Sequence, residues 1–288
     1  MEIAALVLGI LLERVRPDLW VRRRWAALGL PRPGGRLAVP VPVALAGLDA
    51  RRLLVRPSTL LALYVLYRIF SRALPPGNAY EGVNRYIGMS VAVVGLFAVA
   101  VVGSIGGRDR GVEIVEAAPA DPRRRLLSWP VLLLGLAVLE YAVLAALRFG
   151  REEPQYSVFM PDAWDLTQGP IMLIGGGVLG VLLARLVPGW VAAPIGVVAT
   201  VAWVGFLSDT FDRVTMLAPL VEWIQYREDS RTVVEPGSLA WHNAYLLGLC
   251  GLGVVALMLT VPGRRRGLVL AGIAVMAGTV VAGALALP

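Results

Sequence analysis

The chain reads as an all-α protein, a polytopic transmembrane helical bundle of about six to seven spans, on three observations. Hydrophobic residues make up 57% of its 288 positions and charged ones 16%, with a mean hydropathy of +0.71, far outside the mix of a soluble domain. Apolar runs of roughly 20 residues, the length that crosses about 30 Å of hydrocarbon, recur near 57–74, 86–105, 129–149, 168–187, 190–208, 240–262 and 267–288. The 27 basic residues are all arginine, and they gather in alternate loops, as the orientation rule for membrane proteins requires.

The first 12 residues, MEIAALVLGILL, are too short to cross alone and lack the basic start and small-residue cleavage site of a signal peptide. They suit the end of a span or an interfacial anchor. The Pro/Gly-rich stretch at 28–42, LGLPRPGGRLAVPVP, is a linker. From Pro42 to Val55, Val43, Ala46, Ala50, Leu53 and Leu54 fall on one helical face, with Asp49, Arg52 and Arg56 on another. That pattern predicts a helix lying in the membrane interface.

Ten arginines precede residue 57, five lie within 108–125, and Arg185 and Arg264 to Arg266 join them if the N-terminal linker is cytoplasmic. The remaining eight then fall at or beyond the outer ends of spans, beside most of the acidic residues. The net charge of +7 is thereby explained by orientation and by anionic headgroups of the bilayer, and nucleic acid is excluded as a partner.

Between the second and third spans lies RDRGVEIVEAAPADPRRRLLSW. As a helix over 108–118 it carries an apolar stripe of Gly111, Ile114, Val115 and Ala118, and a polar face of Asp109, Arg110, Glu113 and Glu116. Pro119 ends it, and Asp121 and Pro122 supply the N-cap and first position of the next helix. The loop over 209–239 alternates Phe211, Val214, Leu217, Leu220, Val221 and Ile224 with Asp212, Arg213, Glu222 and Gln225, and Pro219 splits it. It is expected to form a pair of amphipathic helices dipping into the outer leaflet, or one lying flat on it.

The chemical inventory is sparse. Cys250 is alone, so there is no disulfide framework and no cysteine-based zinc site. No H-E-x-x-H, no G-x-S-x-G and no acidic pair within a span is present. Without lysine there is no phosphate-binding loop of the usual form, so any ATP must be hydrolysed by a separate chain. Gly175, Gly177 and Gly180 spell G-x-G-x-x-G, but inside a span; small residues for close helix packing, such as Gly176 and Gly180, explain it better. Glu140 stands near the middle of the third span, where an ionisable group costs roughly 3 kcal/mol. It is either a pathway or subunit-interface residue, or a protonated, hydrogen-bonded structural one. His242, beside Trp241 and Tyr245, is read as a residue of the aromatic belt at the outer boundary.

The order of parts resembles the membrane subunit of ABC-2 type exporters, particularly the arginine-rich permeases of high-GC actinobacteria. The resemblance rests on GRDRGVEIVEAAPADPRRRLLSW between the second and third spans and on EPGSLAWHNAYLLGL at 235–249, and covers roughly 42–262. It implies a permease working as a homodimer or heterodimer, with separate P-loop ATPase subunits that hold the ATP and Mg. This chain itself would bind no cofactor, hold no metal and catalyse nothing. It further implies that Arg108, Asp109, Arg110, Val112, Glu113, Ile114, Val115 and Glu116 form a coupling helix seated on the ATPase. The chain then divides into a stub, linker and interfacial helix over 1–56, a six-span domain over 57–262 and an additional span over 263–288, in the inner or plasma membrane. The additional span and the apolar stub depart from the family pattern, as though the chain were the later part of a larger permease. The alternatives are a secondary transporter or channel, against which Glu140 stands isolated, and an integral membrane protein of another function acting on lipids.

Overall fold

Three glycines in succession, Gly175, Gly176 and Gly177, set the centre of the bundle. The structure, a computed structural model, describes residues 41–54, 56, 59–60, 63–64, 67–68, 94–106, 122–149, 163–210, 236–261, 263 and 265–286. Among them the regular structure is helical: α1 (Val41–Leu54), α2 (Gly95–Gly106), α3 (Pro122–Leu126), α4 (Ser128–Phe149), α5 (Ala163–Leu186), α6 (Gly189–Thr210), α7 (Pro236–Leu259) and α8 (Arg266–Ala286). The N-terminal stub, most of the linker, the 108–118 helix and nearly all of the 209–239 loop lie outside the described residues.

Four helices are long and apolar enough to cross a membrane, over Ser128–Ala146, Ala163–Leu186, Leu239–Leu259 and Arg266–Ala286. The protein is a helical membrane protein. Two more expected spans coincide with α2 and with α6, whose stretch Val191–Ala202 is apolar.

Helix α5 is the hub, packed against α2, α4, α6 and α7. Successive helical residues point about 100° apart, so three adjacent glycines admit three neighbours within one turn. A Cβ on Gly176 would strike the Gly95 carbonyl of α2, one on Gly177 would strike the Leu133 methyls of α4, and one on Gly175 would come 3.2 Å from Cys250 Sγ of α7. One turn on, a Cβ on Gly180 would lie 2.8 Å from both Gly103 N and Val99 O. The expectation of close packing at Gly176 and Gly180 therefore holds. Between apolar helices in lipid there is no hydrophobic gain to be had, and contact dispersion at short range does the work instead.

The pairings fix direction. Gly95 meets Gly176 and Gly103 meets Gly180, so α2 and α5 are parallel; Asn243 meets Trp164 while Gly253 meets Val178, so α7 is parallel to both. Leu133 meets Gly177 and Leu144 packs on Leu166, so α4 is antiparallel. One end of the bundle thus collects Arg123, Arg125, Arg185, Arg265 and Arg266, and is called the basic end below. The largest apolar cluster lies toward it, around Leu133, Val178, Val181, Leu257 and Met258.

At the basic end α3 runs almost without interruption into α4: Leu127 N donates to Arg123 O at 3.0 Å and Val131 N to Leu127 O at 3.2 Å. Pro122 is the first residue of α3, as its lack of an N–H predicts. Between α5 and α6, Pro188 accepts from Val191 N at 2.8 Å and Ala192 N at 3.1 Å, which closes a two-residue turn. Helix α8 packs antiparallel on α7 through Gly248, Gly251 and Gly272, against Thr279, Val275 and Val255.

Helix α1 forms where expected but with a different face inward. Ala46, Asp49 and Leu53 are buried, whereas Val43 and Leu54 are exposed. The cause is a polar anchor: Ser128 Oγ lies 2.7 Å from Asp49 Oδ2 and 2.7 Å from Arg125 O, with one proton to donate between them. That bond turns α1 so that Asp49 faces α4 and the displaced Val43 and Leu54 flank it.

Candidate functional site

Helix α5 begins at Ala163, five residues before the span expected from 168, and its extra turn is polar. Asp165 and Gln168 are almost wholly buried there, and so are His242 and Asn243 on the first turns of α7. Because α5 and α7 are parallel, their N-terminal ends lie side by side. Asn243 Nδ2 donates to Trp164 O at 2.9 Å and to Thr167 Oγ1 at 2.8 Å, while the Thr167 hydroxyl donates to Trp164 O at 2.7 Å. Two positive dipole ends placed together repel, and the Asp165 carboxyl in the first turn of α5 offsets that.

His242 is not the belt residue expected from the sequence. Its exposure is 0%, and Trp241 alone of the pair faces outward, at 44%. The reason is register: Leu239, His242, Asn243 and Leu246 recur at helical spacing on the side of α7 that meets α5, and all four are buried. The His242 ring stands 6.3 Å, centroid to centroid, from that of Tyr245.

Toward the middle of the bundle the same seam opens into a groove of about 380 Å³. Its floor is α5, from Ile171 to Leu182; Gly95, Val99, Ala199 and Thr200 of α2 and α6 form one wall, and Tyr245 to Gly253 of α7 the other. The polar groups within it are mostly spent: Thr200 Oγ1 donates to Gly196 O at 2.7 Å, and the Cys250 thiol to Ile171 O at 3.7 Å. Among the described residues no carboxylate, guanidinium or imidazole lines it.

Glu140 lies elsewhere. On α4 it follows Leu133 and Ala137 and precedes Leu144 along the face packed on α5, and it does not line the groove. Both of its carboxyl oxygens are buried with no hydrogen-bond partner, so the hydrogen-bonded structural glutamate expected as one possibility is not what forms. Leu133 against Gly177 and Leu144 against Leu166 bracket it at the level of Pro170. The other expected site residues, Arg108, Asp109, Arg110, Val112, Glu113, Ile114, Val115 and Glu116, lie outside the described residues. Among the described residues no group of three or more His, Cys, Asp or Glu is placed to hold a metal ion.

Sequence reasoning missed both the polar turn and the groove. The available signals were the adjacent pairs Thr167–Gln168 and His242–Asn243, each preceded within three residues by a tryptophan, and the glycines at 95, 175, 176 and 253. Comparison with protein-family models, with curated proteins and with solved structures finds no match. Fold and site together define a helical membrane protein with an apolar groove at bilayer depth, capped by a buried polar layer.

Proposed function

We propose that this chain is the permease subunit of an ABC-type exporter, multi-pass with six to seven spans in the inner or plasma membrane. In this reading its N-terminal linker is cytoplasmic, it pairs with an identical or a different permease, and a separate P-loop ATPase supplies the ATP hydrolysis. The segment over 108–116 is then the lever that the ATPase grips, with Ile114 and Val115 seated in its groove and Glu113 and Glu116 at the rim.

The observation that carries the reading is the way this segment is attached. The chain leaves α2 at Gly106 and re-forms as α3 at Pro122, and both points are at the basic end, where α1 is also moored by Asp49 and Ser128. A short two-faced segment held at both ends by packed helices is suited to passing force from a partner into the bundle. The test is whether a P-loop ATPase co-purifies with the full chain from its native membrane. Changing Ile114 and Val115 to Asp is expected to abolish capture of the ATPase while the permease still purifies as a folded species. Undiminished capture, or no ATPase captured by the unaltered chain, refutes the exporter reading.

A further inference from the structure

The groove between α2, α5, α6 and α7 has properties that specify an occupant. It lies at the depth of the spans. Its shoulders are apolar and turned outward, with Ile195 and Val198 on α6 and Leu247 on α7 exposed. A mouth framed in this way opens to hydrocarbon, not to water. No charged side chain is among the described residues of the lining, which favours an apolar occupant. At about 380 Å³ the groove has room for a segment of hydrocarbon chain.

One polar group in the lining remains available. Thr200 and Cys250 are bonded to their own and the facing backbone. Tyr245, half-buried, is the lining residue of α7 nearest its N-terminal end, where the apolar groove gives way to the polar turn of Asn243 and Gln168. A phenol at the boundary of an apolar slot donates well to a carbonyl oxygen that enters with an apolar tail.

We infer that the groove is a binding site for one acyl chain of a bilayer glycerophospholipid, with its ester carbonyl accepting a hydrogen bond from the Tyr245 hydroxyl. The site goes beyond the exporter reading and does not depend on it. A chain held there lies along Leu179, Leu182 and Leu249, which line the groove.

The test uses the full chain in phosphatidylcholine vesicles that carry a photoactivatable diazirine in one acyl chain, with adducts mapped by mass spectrometry. Adducts are expected on Leu179, Leu249 and Cys250 inside the groove, and on Leu270, an exposed residue of α8 that reports ordinary bilayer contact. Ala199 is exposed at the lip. Ala199→Trp is expected to cut the groove adducts about tenfold or more while the Leu270 adducts stay unchanged, which also certifies the fold. Tyr245→Phe is expected to lower the groove adducts about threefold to tenfold, the weight of one hydrogen bond. Groove adducts unaffected by Ala199→Trp overturn the assignment. So does a groove that labels only when the protein is monomeric, since a second copy of this chain is then the occupant.

Discussion

Replacing Gly176 by Ala tests the hub directly, because what its Cβ would meet is backbone. The nearest atoms are the Gly95 carbonyl oxygen, its carbon at 3.0 Å and the Gly95 Cα at 3.2 Å. No rotamer change can clear them, so α2 must withdraw along its length, and a gap of 0.5–1 Å already loses about a quarter to a half of each contact. Overpacking of this kind costs about 1–3 kcal/mol. Against it stands a helix-propensity gain of about 0.5–1 kcal/mol for any Gly→Ala change in a helix. Gly135 of α4 supplies the control, since a Cβ there meets nothing within 4 Å. The propensity gain is common to both variants, so the difference between them isolates the clash at about 1–3 kcal/mol, a factor of roughly 5 to 150 in the unfolding equilibrium. Gly177→Ala should fall between them, because the Leu133 methyls it meets can rotate away. The assay is reversible unfolding by sodium dodecyl sulfate in bicelles, followed by tryptophan fluorescence. Equal stability of Gly176→Ala and Gly135→Ala would refute the argument that α2 and α5 touch backbone to backbone.

Two further outcomes follow from buried polar atoms. Ser128→Ala removes the hydroxyl that lies 2.7 Å from Asp49 Oδ2 and should weaken the docking of α1 by about 1–3 kcal/mol. Trypsin cleavage after the exposed Arg51 reads this out, and Asp49→Ala should add little to it; protection equal to that of the unaltered protein would count against the anchor. Glu140→Leu removes a carboxyl whose two oxygens have no hydrogen bond, and should leave the bundle as stable or raise its stability by up to about 3 kcal/mol. A loss above about 1 kcal/mol in the same unfolding assay would show that another subunit satisfies Glu140.

Much of the fold was legible because membranes read sequence coarsely. Seven apolar runs were expected; six coincide with α2 and α4 to α8, and the described residues of the seventh, at 59–60, 63–64 and 67–68, are helical as well, since the length of an apolar run is fixed by bilayer thickness. The small-residue reading of Gly176 and Gly180 was legible for a related reason: without a hydrophobic force between helices, a cluster of glycines in a span has few roles other than contact. Side-chain direction near the ends was harder. Asp49 looked like part of the polar face of α1 because periodicity sees one helix and not the Ser128 hydroxyl, 79 residues away, that donates to its carboxylate in the core. His242 looked like a belt residue because Trp241 and Tyr245 flank it, whereas the apolar Leu239 and Leu246 at helical spacing decide its face. The turn over 163–167, with Asp165, lies before the span expected from 168, because hydropathy alone ends a span where the polar residues start, and the Asn243 bonds that carry α5 further are tertiary.

If the exporter proposed above is right, the same contacts set how force would reach the groove. Helix α2 touches α5 through Gly95, Val99 and Gly103, so closely that a Cβ on the facing Gly176 or Gly180 would meet backbone. A surface of backbone and small residues resists compression but offers little resistance to sliding, since shear between packed helices proceeds by small shifts of side chains. Gly95 and Val99 also line the groove, and α2 ends at Gly106, where the 107–121 segment begins. A partner pulling on that segment would therefore move α2 along a fixed α5 and change the groove wall directly. Helix α7, bound to α5 by two Asn243 hydrogen bonds at the far end, would hold the opposite wall still. On this reasoning the polar turn is the stationary hinge and α2 the moving part, so a cross-link between α2 and α5 should stop transport while one between α5 and α7 should not.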